Sequence, residues 1–433
     1  MPDGRSRKVW PSGVSPLGTP ETGWDSRAQF SLSLSPFMAR MGHQEKSNLK
    51  GAKSWSGGGR LMDEHWPAGA TCDFVKFLEP GNKMTKDVTI KRGTPEMLET
   101  LGSMVDRVYR PSRQPGSGMP KEFPHLFHPL NAHNLFYAEY QGNPVSMIGV
   151  LKQTLIMPAC SIPVASIGSV VTLPEYRGQQ LATAVLEKVF QSMDDEGQAL
   201  CLISGERQLY QRLGCVKTGR MFTVRARASS PSKKTPAFLI RRIAGEDRSS
   251  YASQLAGIYR QEPYRFQRSA QEMSVLLNAL WFQRSGFHQE LFVLETPASI
   301  AGYIVAFVTP SEPHQAHIME WAGNREIIGE AWPKVMEELG VQSVIFHVHE
   351  RDWWMRRLVE ERNWEKESVP IQGTLKTAHV DTLLQSVRPL LEELGEWPWR
   401  YGKEGDVPSR LFGLPNEGGL GIPFVLTDDL NYI

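Results

Sequence analysis

The chain is organised around Ser169-Val-Val-Thr-Leu-Pro-Glu-Tyr-Arg-Gly-Gln-Gln-Leu-Ala-Thr-Ala-Val-Leu186. Its β-branched first part predicts a strand, and Pro174 ends that strand because proline cannot donate to a ladder. A turn follows at Arg177-Gly178. Apolar residues then recur at the spacing of one helix face, at Leu181, Ala184, Val185, Val189 and Met193. The segment therefore predicts a strand, a tight turn and an amphipathic helix.

The start of this helix is a predicted anion site. The first four N–H groups of a helix have no intrahelical acceptor, and the positive end of the helix dipole lies beside them. A diphosphate is the anion that such a terminus suits best. The alternative is an ordinary strand–helix junction with a surface arginine at Arg177.

The turn resembles the acyl-CoA pyrophosphate loop of the Gcn5-related N-acetyltransferase (GNAT) family, whose pattern is Arg/Gln-x-x-Gly-x-Gly/Ala. Arg177 and Ala182 fill the first and last positions, and Gln180 replaces the middle glycine. A side chain there restricts close approach of a phosphate, although the N–H of Gln180 remains. The resemblance implies acetyl-CoA as co-substrate, with no metal. The main chain at 170–172 is similar to the family stretch that pairs with the pantetheine amides. The cofactor-binding residues implied are Val170, Val171, Thr172, Arg177, Gly178, Gln179, Gln180, Leu181, Ala182, Thr183 and Ser204.

Composition and charge narrow the class of protein. A chain of 433 residues predicts two or three domains. Hydrophobic residues make up 40% and charged residues 22%, an ordinary balance for a soluble globular protein. The net charge of +1 gives no electrostatic reason to expect a nucleic acid or a membrane surface as partner. No apolar run approaches the length of about 20 residues that a membrane span needs.

The cysteines indicate a reducing compartment. Cys72, Cys160, Cys201 and Cys215 show no CxxC pair and no metal-ligand spacing. Three of them lie in apolar or turn contexts, which predicts buried thiols. We therefore expect a cytoplasmic protein.

The segment 1–83 differs from the rest of the chain. It is rich in Ser, Gly, Pro and Arg and has no sustained hydrophobic periodicity. Such a composition buries too little apolar surface to offset its chain entropy. We expect a disordered extension, with the functional protein beginning near Met84.

A first domain is predicted at 84–230. Its predicted elements are a strand at 88–92, a helix after Thr94, a hairpin of 134–140 and 145–156, a strand at 162–173, the helix described above, a strand at 199–204, a short helix at 206–213 and a strand at 216–225. This order is that of the GNAT fold. The resemblance therefore implies an α/β (α+β) domain, with a mixed central sheet flanked by helices.

A second motif lies in the short helix. Leu209-Tyr-Gln-Arg-Leu-Gly214 resembles the family's Tyr-x-x-Leu/Phe-Gly-Phe segment, in which the tyrosine hydroxyl lies beside the thioester sulfur. A thiolate leaves more easily when an acid protonates it, and a phenol with a pKa of about 10 can do so over a short contact. Tyr210 is therefore the candidate acid, and a packing tyrosine is the alternative.

The general base is less clear from the sequence. The predicted strand at 162–173 contains no carboxylate, although many GNAT enzymes place one there. Glu175 and Glu206 are near in sequence and are expected to be solvated. His125 and His128 lie in an aromatic segment of the kind that often lines an acceptor groove.

Residues 235–370 predict a second, degenerate GNAT-like copy. The order of predicted strands and helices repeats, but the equivalent junction reads Ala322-Gly-Asn-Arg-Glu-Ile-Ile-Gly329 and lacks the Arg-x-x-Gly-x-Ala frame. No tyrosine stands in Trp353-Trp-Met-Arg-Arg-Leu358. This copy is expected to stabilise the first, to close the acceptor cleft or to mediate homo-oligomerisation.

Residues 371–433 predict a short C-terminal α+β module with one strand and one amphipathic helix. Tandem GNAT folds followed by a small module resemble the enhanced-intracellular-survival (Eis-like) acetyltransferases. That resemblance implies a truncated sterol-carrier-like fold here. It also implies a terminal carboxylate that reaches the active site, which makes Ile433 the candidate base.

Two functions fit these patterns. The first is transfer of an acetyl group from acetyl-CoA to an amine, on a small molecule or on a lysine side chain. The second is a protein that keeps the scaffold and senses acyl-CoA without turnover, which Gln180 favours. A nucleotide-binding α/β domain of another kind is disfavoured, because neither GxGxxG nor GxxxxGK[ST] occurs.

Overall fold

A computed structural model of the protein describes residues 87–205, 208–227, 238–279, 288–309, 312–396, 407–427 and 429–433. All of them belong to one structural unit, Cys72–Ile433. The extension expected at 1–83 lies outside the described residues, as does Glu206.

The elements follow the predicted order closely. The strands are β1 (Val88–Arg92), β2 (Leu135–Tyr140), β3 (Asn143–Met157), β4 (Cys160–Thr172), β5 (Leu200–Ile203), β6 (Arg220–Arg227), β7 (Leu239–Ile243), β8 (Arg265–Phe266), β9 (His288–Glu295), β10 (Ile300–Thr309), β11 (Glu312–Gly323), β12 (Ser343–His349), β13 (Glu365–Pro370) and β14 (Thr374–Thr377). The helices are α1 (Leu98–Tyr109), α2 (Met119–Glu122), α3 (Leu181–Asp195), α4 (Gln208–Arg212), α5 (Arg248–Tyr259), α6 (Ala270–Leu277), α7 (Arg325–Leu339), α8 (Trp353–Glu361), α9 (Val380–Glu393) and α10 (Val407–Phe412).

The first sheet has the spatial order β1-β2-β3-β4-β5-β14, with β8 beside the far end of β3. Its β4 and β5 run parallel and pair from Val164 to Ile167 of β4, whereas its other paired strands are antiparallel. Beyond Ile167 the two strands part. This parting creates a cleft in the sheet, next to the start of α3.

A bulge lies in β4 at the point where the strands part. The pairing of β3 with β4 shifts by one residue between Gly149↔Gly168 and Met147↔Val171. Ser169 supplies the irregular conformation, with φ of 50°. An extra residue in one strand bends it and turns its backbone groups away from the ladder.

Two hydrophobic cores cover the faces of the first sheet. On one face α3 packs Leu181, Val185, Val189 and Met193 of its predicted apolar stripe, together with Leu186. On the other face α9 packs Leu383, Val387 and Leu391 against residues of β3, β4 and β5. The predicted apolar faces of these two helices therefore pack against the sheet, as expected.

The second sheet has the order β13-β6-β12-β11-β10-β9-β7. The described elements from β7 to β13 repeat the element order from β1 to β6. In this copy β11 and β12 are the parallel pair, and they pair at Gln315, Ala316 and His317 of β11. The predicted second copy is therefore seen as a second mixed sheet with flanking helices.

The last strand of the first copy lies in the second sheet, and a strand of the C-terminal segment takes its place. We expected the strand at 216–225 to complete the first sheet, but β6 pairs with β12 and β13 of the second sheet. Its place beside β5 is taken by β14. The exchange joins the two sheets by chain crossings as well as by packing.

The C-terminal segment contains the expected strand and helix, β14 and α9. The described apolar residues of the short module expected at 371–433 share one core with β3, β4 and β5. A four-residue strand cannot form a stable sheet alone, so joining an existing edge gives it hydrogen-bond partners. The likeness to a sterol-carrier fold stays a prediction.

Candidate active site

A groove of about 780 Å³ opens where β4 parts from β5, at the first turn of α3. Nine of the predicted cofactor-binding residues line it: Val170, Val171, Thr172, Arg177, Gly178, Gln180, Leu181, Ala182 and Thr183. Gln179 belongs to the same turn but does not contribute to this lining. Ser204 lies elsewhere, beside the end of the chain. The groove therefore brings most of the predicted site together.

The turn before α3 presents backbone N–H groups at one end of the groove. The first intrahelical bond runs from the Ala184 N–H to the Gln180 carbonyl, at 3.0 Å. The N–H groups from Leu181 to Thr183 therefore have no acceptor within the helix. Together with the positive end of the helix dipole they form a site suited to a phosphate or diphosphate.

Two residues of this turn adopt left-handed backbone conformations. Gly178 has φ of 82°, and Gln180, the N-cap residue of α3, has φ of 61°. Glycine adopts such a conformation without a steric cost, whereas other residues are destabilised by roughly 1–2 kcal/mol. This explains why glycine is expected at the position that Gln180 occupies. The side chain of Gln180 is exposed at the groove.

The edge of β4 forms one wall of the groove. Among the described residues, the pairing of β4 with β5 ends at Ile167, so the next backbone groups on that edge face the groove. An extended chain containing amides could pair with them as an added strand. The opposite edge of β4 is hydrogen-bonded within the sheet, where the Ser146 hydroxyl donates to the Val171 carbonyl at 2.9 Å. It also lies 2.8 Å from the Thr172 hydroxyl, which therefore has a structural partner.

Positive charge lies at the end of the groove that is next to the start of α3. Arg177 is exposed there, and its Nε donates to the Thr172 carbonyl at 3.3 Å. Arg212 also lines the groove. Nearby, Arg107 forms an exposed ion pair with Glu175 at 2.9 Å. Glu175 is thus a solvated surface partner, as expected, and not a base.

Tyr210 lies next to the groove but does not belong to its lining, whereas its neighbours Leu209 and Leu213 do. The residue is 4% exposed and packs in the core that α3 covers. Its ring edge lies against the end of β5, because a Cβ added to Gly205 would be 3.2 Å from Cε2. The role of Tyr210 as an acid stays a prediction.

Ile433 lies against the bulge of β4. A Cβ added to Gly168 would come within 2.8 Å of the Ile433 carboxyl carbon, so a glycine is needed for this approach. A small cavity of about 10 Å³ beside it is lined by Ser166, Ser204 and Ile433, among others. The structure therefore brings the candidate base Ile433 and the predicted Ser204 together.

The two histidine candidates occupy different environments. His128 caps a turn, since its Nδ1 accepts the Leu130 N–H at 3.2 Å. Both ring nitrogens of His125 are buried. Burial, followed by the nearby charge of Arg268, lowers the pKa of His125 to about 3, and the backbone of Tyr432 opposes this shift. The neutral His125 ring therefore lies beside the C-terminal segment.

The described cysteines remain thiols. Burial raises the pKa of Cys160 and Cys215 to about 11, and it raises that of Cys201 as well. None of the three is in a disulfide. The described residues also contain no cluster of His, Cys, Asp and Glu arranged to hold a metal ion. Within the described part of the chain, no helix has the length and apolarity needed to cross a membrane.

The second sheet has its own cavity, about 460 Å³, at the equivalent parting of β11 and β12. An internal carboxylate occupies the position of an anion there. Glu262 accepts the Gly323 N–H at 3.1 Å and an Arg325 N–H at 2.7 Å. The Asn324 side chain caps the first N–H groups of α7. The donors at this turn of the second copy are thus already satisfied by side chains of the chain itself.

Sequence reasoning missed several residues of the site. Gly168 and Ser169 interrupt a β-branched strand, and an isolated glycine in a strand often marks a bulge or a close approach. That signal was available. Tyr109, whose hydroxyl donates to the Val170 carbonyl, gave no signal of its own. Its partner lies 61 positions away in sequence.

Comparison with known proteins agrees with the resemblance to the GNAT family. Residues 89–217 match the family model described as Acetyltransferase (GNAT) domain. A search of curated protein sequences gives no match.

Three solved structures illustrate the likeness in fold. One is a probable N-acyltransferase from Enterococcus faecalis, with 14% identity and a TM-score of 0.54 over 69% of this chain and 74% of that one. Another is a GCN5-related N-acetyltransferase from Anabaena variabilis, with 14% identity and a TM-score of 0.54 over 69% and 75%. The third is Eis1 from Mycobacterium abscessus, with 15% identity and a TM-score of 0.50 over 69% and 75%.

These structures share the fold of this chain over 69% of its length. The family match falls on the copy that carries the groove, the α3 turn and Tyr210. Over residues 89–217 the chain is therefore similar to GNAT acetyltransferase domains.

Proposed function

We propose that this protein transfers the acetyl group of acetyl-CoA to an amine by direct attack, with the Ile433 carboxylate as base and Tyr210 as acid. The observation that carries the proposal is the position of Ile433. It lies against Gly168, at the bulge where β4 parts from β5. A carboxyl group thus lies against Gly168, two residues before the groove-lining Val170, in a copy whose β4 contains no carboxylate of its own.

The groove would hold the donor along its length. The diphosphate of CoA would accept from the N–H groups at the start of α3 and pair with Arg177. The pantetheine amides would pair with the backbone of β4 at Val170 to Thr172. This arrangement directs the thioester towards the bulge and towards Ile433. No metal is required by this chemistry.

The reaction needs three proton or charge adjustments. An alkylammonium, with a pKa of about 10.4, must first lose a proton, and the Ile433 carboxylate would accept it. The amine nitrogen then attacks the thioester carbonyl carbon, and a main-chain N–H of β4 would stabilise the oxyanion that forms. When the carbon–sulfur bond breaks, Tyr210 would give its proton to the departing thiolate. The second proton that the nitrogen loses as the amide forms would pass through solvent and restore the tyrosine. The products are the N-acetyl amine and CoA.

The acceptor is an amine on a small molecule, such as a polyamine or an aminoglycoside-like compound, or a lysine side chain. We place the enzyme in the cytoplasm, where acetyl-CoA and reduced thiols coexist. The second copy also offers a surface through which a homo-oligomer could form. Nucleic acid has no part in this proposal.

A second candidate is a protein that binds acyl-CoA without turnover. Gln180 favours it, because its exposed side chain stands where the family pattern has glycine. Such a protein would bind CoA in the same groove but would release no thiol with any amine.

Thiol release from acetyl-CoA, measured with a panel of amines, tests the proposal against this alternative. Arg177→Ala should raise the Kd of CoA, whereas Tyr210→Phe should lower kcat and leave that Kd unchanged. Arg388→Ala serves as the control, because Arg388 forms an exposed pair with Glu392 on α9. Failure of both active-site substitutions to differ from this control would reject the proposed site.

A further inference from the structure

The last described residues of the chain, 429–433, form a buried segment that we call the terminal strap. Asp429, Leu430, Asn431 and Ile433 are each less than 9% exposed. The strap contacts the first sheet through the Asn431 amide oxygen, which accepts from Gln153 of β3 at 3.2 Å. Its far end is Ile433, beside Gly168 of β4.

The second copy holds the other end of the strap. Glu320 of β11 accepts the Leu430 N–H through Oε2, at 3.4 Å. The Tyr259 hydroxyl of α5 donates to Asp429 Oδ2, at 3.3 Å. The strap is therefore tied to both sheets within five residues.

Glu320 is itself fixed by a buried network. Arg268 donates to its two oxygens at 2.8 and 3.0 Å, and the Tyr303 hydroxyl donates to Oε1 at 2.6 Å. The side chains of Arg268 and Glu320 are 1% and 4% exposed. A bidentate, buried pair of this kind fixes the carboxylate in one geometry. The Leu430 N–H thus meets an acceptor that has little freedom to move.

Asp429 shapes the strap that follows it. Its Oδ1 accepts the Asn431 N–H at 2.9 Å. Both of its oxygens also accept from the Asn431 side-chain amide, at 3.2 and 3.1 Å. This turn sets the direction in which the chain continues towards Ile433.

We infer that the second copy holds Ile433 in the active site of the first, with Glu320 and Asp429 as positioning residues. The last residues of a chain fray unless they are tied down, and a base must be held within hydrogen-bond reach of the proton that it takes. The catalytic consequence rests on the function proposed above. The holding role itself rests on the contacts of the strap.

Hydrogen exchange of the full chain, followed by mass spectrometry of the peptide that ends at Ile433, tests this inference. The variants are Glu320→Gln and Asp429→Asn. Asp429→Asn is needed because Glu320→Gln leaves Arg268 buried without its counter-charge and can unfold the sheet. The matched control is Glu295→Gln, which removes one partner of an exposed pair with Arg241 in the same sheet.

We expect the strap to exchange at least tenfold faster in folded Asp429→Asn, and in Glu320→Gln if it folds, with the control unchanged. The value of kcat for acetyl transfer should fall about tenfold while the Kd of CoA stays within twofold, because the strap lies outside the CoA groove. Exchange as slow as in the wild type in folded Asp429→Asn overturns the inference, whatever its turnover. Faster exchange with unchanged kcat supports the holding role and contradicts the proposed role of Ile433 as base.

Discussion

Replacing Gln180 by glycine tests whether the turn before α3 is a binding site for the diphosphate of CoA. Gln180 has φ of 61°, in the left-handed region, and its exposed side chain projects at the groove. The left-handed conformation costs a residue with a Cβ about 1–2 kcal/mol, and glycine avoids this cost. Glycine also loses more chain entropy on folding, by about 0.5–1 kcal/mol. The two terms partly offset, so Gln180→Gly should raise the free energy of unfolding by between about 0 and 1.5 kcal/mol.

The matched control is Gln179→Gly, one position earlier in the same turn. Gln179 does not have a positive φ, so glycine there brings the entropic loss without relief of strain. The difference in unfolding free energy between the two variants should be about 1–2 kcal/mol, and Gln180→Gly should be the more stable. Urea unfolding of both variants without ligand measures it.

Binding of CoA gives a second measurement on the same pair. Without the Gln180 side chain, a phosphate can approach the backbone more closely, so the Kd should fall a few-fold, up to about fivefold for about 1 kcal/mol. Gln179→Gly should bind CoA as the wild type does. Equal destabilisation by both substitutions, together with weaker CoA binding by Gln180→Gly, would refute the interpretation of the turn.

Two further predictions concern the C-terminal region and pH. Gly168→Ala should lower kcat at least tenfold without changing the Kd of CoA, because a Cβ would come within 2.8 Å of the Ile433 carboxyl carbon and displace it. Burial lowers the pKa of His125 to about 3 and that of His349 to about 4, whereas burial and then Glu320 raise the pKa of Asp429 to about 7. Between pH 6.5 and 4 both histidines bind a proton in the unfolded chain but stay neutral in the folded protein. Each histidine therefore lowers the free energy of unfolding as the pH falls, by up to about 1.4 kcal/mol per pH unit. Asp429 acts in the opposite sense over the same range, so the wild type should lose stability less steeply than Asp429→Asn, by up to about 1.4 kcal/mol per pH unit.

The controls for these predictions are specific. Gly257→Ala tests a glycine substitution on α5, where an added Cβ meets nothing within 4 Å, and it should leave kcat unchanged. Urea unfolding at several pH values measures the slopes. If the free energy of unfolding falls equally steeply with pH in Asp429→Asn and in the wild type, Asp429 does not act in the opposite sense to the histidines. A kcat of wild-type size in Gly168→Ala would contradict the position of Ile433.

Much of the fold could be predicted from local patterns. The β-branched run before Pro174, the apolar stripe of α3 and the hairpin of β2 and β3 all depend on residues close in sequence. Strand, turn and helix periodicities report such short-range information directly. The same patterns, read again after residue 238, located the second copy.

The exchange of β6 and β14 could not be predicted in this way. Both strands have ordinary strand sequences, and local propensity does not determine which of two open sheet edges a strand joins. The hydrogen bonds around the terminal strap could not be predicted from local patterns either. Glu320 and Leu430 are 110 positions apart, and neither residue type reveals its partner. Local patterns likewise do not reveal that the residues of the predicted module at 371–433 share a core with strands that are distant in sequence.

The central claim is that the groove beside Ile433 is the active site of an N-acetyltransferase. The most direct measurement compares acetyl-CoA turnover with an amine panel before and after one alanine is added beyond Ile433. We predict turnover in the wild type, a fall of about a hundredfold or more in kcat for the extended chain, as expected for loss of a general base, and an unchanged Kd of CoA. Equal turnover in the two proteins would contradict the role of Ile433, and no turnover of any amine in the wild type would contradict the claim itself.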